Sequence, residues 1–63
     1  MTAKTYKGFK LVTHKTKGGY ETFIFSKLGV KAIAKYSNNL KKYSIGLAES
    51  ACDYNDFAGR DHG

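Results

Sequence analysis

Gly18 and Gly19 stand side by side between two runs of strand-forming residues, and that junction limits what the chain can become. The run YKGFKLVTHKT, residues 6 to 16, sets Phe9, Leu11 and Thr13 on one face and Lys10, Val12 and His14 on the other. The run YETFIFS, residues 20 to 26, is rich in β-branched and aromatic residues. A glycine pair supplies the positive φ angles of a tight hairpin, so the two runs are expected to fold back as antiparallel strands. Loop length sets the register. A two-residue turn puts Phe9 and Leu11 on the face of Ile24 and exposes Phe23 and Phe25. A three-residue loop does the reverse, because a slip of one residue exchanges the faces. The shorter turn is slightly favoured, and both registers stay open.

Lys27 to Gly29 read as a second turn, and VKAIAKYS, residues 30 to 37, alternates strictly. Val30, Ala32, Ala34 and Tyr36 oppose Lys31, Ile33 and Lys35, which predicts a third strand with lysines outward. Asn38-Asn39 end it in a loop. From Ser44 onward the period changes. SIGLAESACDYNDFAG predicts a helix with Ser44 as N-cap and Gly59 as C-cap. Leu47, Ala48, Ala51, Cys52 and Asn55 form its packing stripe, with Tyr54 and Ala58 beside it. Glu49, Asp53 and Asp56 lie on the outward face. The expected fold class is α+β: a three-stranded antiparallel sheet with one C-terminal helix packed on one face, in the order β-β-β-α. Ala32, Ala34, Ala48 and Ala51 let helix and sheet approach closely.

At 63 residues the chain is expected to form a single domain, residues 1 to 63, with residues 60 to 63 as a frayed tail. A start methionine and no linker read as a complete small gene product. So short a chain has little room for an enclosed catalytic cleft. No phosphate loop, nucleophile elbow or paired-carboxylate site is visible, so the expectation is a binding protein rather than an enzyme, with no cofactor. The only cysteine, Cys52, excludes an internal disulfide, argues against structural zinc, and suits a reducing cytoplasmic compartment. No apolar run approaches the roughly 20 residues of a membrane span.

Charge is distributed unevenly. Residues 1 to 43 hold ten lysines and one acid, Glu21, for a net +9. Residues 44 to 63 hold Glu49, Asp53, Asp56 and Asp61 against Arg60, for a net −3. The basic part calls for an acidic partner. The uncovered sheet face is expected to carry Lys10, His14, Lys31 and Lys35 among aromatic or apolar side chains, either Phe23 and Phe25 or Tyr20 and Ile24. Lys15 and Lys17 stand at the hairpin tip. Lysines among aromatics suit a nucleic-acid surface, since lysines neutralise phosphates and aromatics pack on bases and sugars. With the only arginine in the tail, guanine reading is weak and binding of low sequence specificity is expected. His14 and Glu21 face each other as a surface pair.

The succession YKGF, GGYETFIF, GVKAIAKYS and SIGLAESACDYNDFAG resembles the plant ethylene-response-factor DNA-binding domain, and in the same way the arm-binding domains of phage and transposon integrases. The resemblance spans most of residues 6 to 59 as a pattern of elements. It implies a sheet that enters the DNA major groove, and it implicates Lys7, Lys10 and Tyr20. The expected function is therefore a small basic nucleic-acid-binding protein, with DNA favoured over RNA, serving as an accessory or regulatory factor of a phage or mobile element. The alternative is a protein-interaction module or small inhibitor that meets an acidic or nucleic-acid-handling protein. A homodimer through a sheet edge is a related expectation.

Overall fold

The computed structural model describes residues 2–26, 31–55 and Phe57. Among these residues four strands, β1 (Thr2–Tyr6), β2 (Phe9–Thr16), β3 (Gly19–Phe25) and β4 (Ala32–Asn38), are followed by one helix, α1 (Lys41–Tyr54). The strands pair antiparallel in the order β1-β2-β3-β4. The α+β class and the C-terminal helix agree with expectation, but the sheet has four strands rather than three.

The extra strand comes from Lys7-Gly8. Residues 6 to 16 are not one strand, because Lys7 at φ 50° and Gly8 at φ 85° turn the chain between Tyr6 and Phe9. Two successive positive φ angles suit a hairpin turn whose twist matches the strands. TAKTY thereby becomes an edge strand, with Lys4 opposite Leu11 and Thr2 opposite Thr13.

The second hairpin also has a two-residue turn, at Lys17-Gly18, with Thr16 paired to Gly19. Leu11 lies opposite Ile24 and Thr13 opposite Thr22, all four buried, while Phe23 and Phe25 belong to the other face. Gly19 is where the glycine is indispensable. At φ 150° a Cβ there would strike the Asn38 carbonyl oxygen and lie 2.8 Å from the Asn39 Cα. The start of β3 passes that close to the end of β4.

The strict alternation expected over residues 30 to 37 is interrupted. Ile24 pairs with Ala34 but Phe25 pairs with Ala32, leaving Ile33 as an extra residue in a bulge. Ala32 is consequently exposed, and only Ala34, Ala48 and Ala51 serve the close approach of helix and sheet. The core consists of Leu11, Ile24, Ala34, Ala48, Ala51 and Cys52, edged by Tyr6, Phe9, Tyr36 and Phe57. The Phe9 and Phe57 rings meet at 5.3 Å in a tilted pair.

The helix begins earlier than expected, and Ser44 is not its cap. Leu40 occupies the N-cap without a side-chain bond, and its own N–H donates to Asn38 Oδ1 at 3.1 Å. Ser44 instead points into the sheet. Its hydroxyl lies 2.5 Å from Thr22 Oγ1, which lies 2.8 Å from Thr13 Oγ1, and it donates to the Tyr36 carbonyl at 3.4 Å. A chain of three buried hydroxyls thus ties α1 to β2, β3 and β4. Asn55, in the left-handed region at φ 52°, caps the C-terminus. Leu47, Tyr54 and Asn55, expected on or beside the packing stripe, are exposed. The expected turn at 27 to 29, Val30, Asp56, Ala58, the Gly59 cap and the tail at 60 to 63 lie outside the described residues.

Candidate nucleic-acid interface

Directly opposed residues in a sheet share a face, and neighbours along a strand alternate. This assigns Ala3, Thr5, Lys10, Val12, His14, Glu21, Phe23, Phe25, Lys35 and Ser37 to the face away from α1. No described element covers that face. Its apolar centre is Val12, Phe23 and Phe25, each half-buried by its neighbours, and Lys10 stands exposed opposite Phe25.

Phe23 is the hub of the charged groups. The His14 ring stacks on it at 5.4 Å with 20° between planes, and Lys35 Nζ sits 5.9 Å from its centroid. Both side chains also meet Glu21. Its Oε1 is 3.1 Å from His14 Nε2, and its Oε2 is 3.5 Å from Lys35 Nζ. The expected His14–Glu21 surface pair is present, and Lys35 joins it. Glu21 therefore sits inside the basic face as a counter-charge. A ring already in contact with His14 and Lys35 is less open to base stacking than a bare one, so this face presents charge before it presents π surface.

The other expected positions divide. Lys17 is exposed in the β2–β3 turn, and Lys31 is exposed just before β4. Lys15 is exposed near the tip but pairs with Tyr20, and both belong to the α1 side of the sheet. Tyr20, half-buried between Lys15 and Asn38, is thus on the wrong face to act with Lys10 and His14. Lys7 is also displaced. It lies in the β1–β2 turn with its Nζ 2.7 Å from Asp53 Oδ1 of α1.

Asp53 and Glu49 do not form a free acidic helix face. Asp53 also accepts from the Tyr6 hydroxyl at 2.9 Å, and Glu49 accepts from Lys4 at 2.6 Å. The hydrogen bonds from Lys7 and Tyr6 hold the Asp53 carboxyl below its ordinary 3.8. The same bonds raise Tyr6 above 10.0 and Lys7 above 10.5. Sequence reasoning misses this clasp, because it requires β1. Its one signal is Tyr6-Lys7-Gly8-Phe9, a basic-glycine pair flanked by aromatics.

Burial raises the Cys52 thiol above 9.0, with Asp53 and Glu49 adding to the effect, so it is a protonated core group. Among the described residues no three His, Cys, Asp or Glu side chains gather as metal ligands, and no helix is long and apolar enough to cross a membrane. A shallow depression of about 490 Å³ beside the first hairpin is lined by Ala3, Lys4, Thr5, Gly8, Phe9 and Lys10. Comparison with protein-family models, with curated proteins and with solved structures finds no match to this chain.

Proposed function

We propose that the protein binds nucleic acid through the face of the sheet turned away from α1, chiefly by contacts to the phosphate backbone. The observation that carries this reading is the sorting of charge. Glu49 and Asp53 are engaged by Lys4 and Lys7 on the helix side. Lys10, Lys17 and Lys31 have no acid among the described residues within ion-pair distance, and Glu21 tempers His14 and Lys35. A surface of lysines around a shallow apolar centre favours phosphates and gives low sequence specificity. Phe23, with His14 and Lys35 against its ring, favours duplex over stacked single strands, and DNA is the form proposed. An accessory or regulatory role in a phage or mobile element remains part of this proposal. The same face would meet an acidic protein if nucleic acid fails to bind.

The test is a fluorescence titration against duplex DNA, single-stranded DNA and duplex RNA at about 50 and about 200 mM salt, the range over which phosphate contacts lose affinity. Salt-sensitive binding that favours duplex DNA supports the reading. Absence of binding to all three at low salt overturns it.

A further inference from the structure

The charges of α1 run against its dipole. Lys41 and Lys42 open the helix, Glu49 and Asp53 lie toward its end, and it has no acid in its first turn and no base in its last. A helix N-terminus carries partial positive charge and a C-terminus partial negative charge, so each end holds the sign it disfavours. Lys4 and Lys7 offset the acidic end. Lys41 has no acid beside it among the described residues, and Lys42 lies over the Tyr43 ring, at 5.3 Å.

The same helix carries an apolar stripe that the monomer does not use. Leu40, Tyr43, Leu47 and Tyr54 are 50%, 53%, 43% and 80% exposed. With Ser50 they fall at intervals of three and four residues, the spacing of a helix–helix seam. At about 100° per residue, the stripe lies on the flank of α1 opposite Glu49 and Asp53. Those acids reach toward β1, so the stripe lies toward β4. There the sheet ends, and β4 has β3 on one side and no described strand on the other. The stripe and the open edge are therefore continuous, and the stripe bears no charge.

We infer that this flank joins two copies of the chain about a two-fold axis near Leu47, with the helices antiparallel and the β4 edges side by side. The arrangement is self-complementary. Leu40 of one copy falls opposite Tyr54 of the other, and Tyr43 opposite the small Ser50. The amino-terminal end of each helix, which carries Lys41 and Lys42, comes beside the negative end of the partner's helix. The antiparallel sense corrects the charge order that the single helix has wrong, whereas a parallel pairing places like ends together. The open basic faces of the two sheets are left facing solvent. This inference stands independently of the proposed function.

The test is sedimentation equilibrium of the full chain up to on the order of 1 mM, the weak end of specific association, with hydrogen exchange followed by NMR. The wild type is expected to dimerise, and Leu47→Glu and Ser50→Lys to be monomeric with unchanged helix content. Amides of β4 become more protected as concentration rises, and those of β1 do not. A wild type that stays monomeric overturns the inference. So does a dimer that both folded variants retain, or protection that appears at β1 instead.

Discussion

Glu21 Oε2 lies 3.5 Å from Lys35 Nζ, in the middle of the surface proposed to meet phosphate. The carboxylate also engages His14, so it holds the Lys35 ammonium and the His14 ring in competition with any anionic ligand. Glu21→Gln keeps the shape and removes that competition. The variant is expected to bind duplex DNA more tightly than wild type. Its logarithmic salt slope should steepen by about 0.9 for each further phosphate neutralised once the carboxylate charge is gone. Affinity measured at several salt concentrations checks this.

Thr22 is the middle of the Thr13–Thr22–Ser44 chain, and all three side chains are buried. Thr22→Val keeps the shape and strips both neighbours of a partner. The cost is expected to be about 1–3 kcal/mol, the penalty for leaving the buried Thr13 hydroxyl unsatisfied, since Ser44 keeps the Tyr36 carbonyl. In a domain of this size each kcal/mol lowers the melting temperature by roughly 4–8 °C. Thermal unfolding reads the result, and a shift below about 2 °C would show that the chain of hydroxyls does not hold the helix to the sheet.

The two glycines of the second hairpin should respond differently to alanine. At Gly19 a Cβ meets backbone of Asn38 and Asn39 and the φ is 150°, whereas at Gly18 no atom lies within 4 Å of the added carbon. Gly19→Ala is expected to destabilise by more than about 1 kcal/mol, and Gly18→Ala to stay within about 1 kcal/mol of wild type. Chemical denaturation of the two variants side by side makes the comparison.

The clasp between Asp53, Lys7 and Tyr6 sets a pH dependence with two limbs. The folded Asp53 carboxyl releases its proton more readily than its ordinary 3.8, because Lys7 and Tyr6 bond the charged form. Its contribution to stability is present above that value and is lost as the pH falls through the lower folded one. Tyr6 and Lys7 hold their protons above 10.0 and 10.5, again through Asp53. Their contributions are full below those values and disappear as the pH rises through the folded ones. Asp53→Asn should flatten both limbs. Urea midpoints followed from about pH 5 to about pH 2, and again above about pH 10, measure it.

Much of the fold was legible because period and punctuation agreed. The alternation in residues 9 to 16 and 20 to 25 pointed to the central hairpin, and the parity of a two-residue turn placed Ile24 on its correct face. The first strand was not legible from its own pattern. TAKTY has little apolar content, and it is held as an edge by backbone pairing and by lysines that reach acids 45 or more residues away. Ser44 misled for a related reason. A serine ahead of an apolar run is the ordinary cap signal, but here the helix begins at Lys41, and the hydroxyl of Ser44 bonds Thr22 across to the sheet. Of the candidate site, Lys10, His14 and Lys35 could be placed once the register was known. Lys7 could not, because an unseen turn brings it to α1, whereas the helix-side positions of Lys15 and Tyr20 follow from the same alternation that places Leu11 and Ile24.

The most direct test of the central claim compares charge reversals on the two sides of the sheet. Lys10→Glu and Lys35→Glu alter the open face, and Lys41→Glu alters the start of the helix. Binding of each to one duplex DNA is measured against salt. The open-face variants are expected to lose affinity by about tenfold or more, with a shallower salt slope, while Lys41→Glu remains near wild type. Equal losses for all three variants, or none for the open-face pair, would contradict an interface on that face.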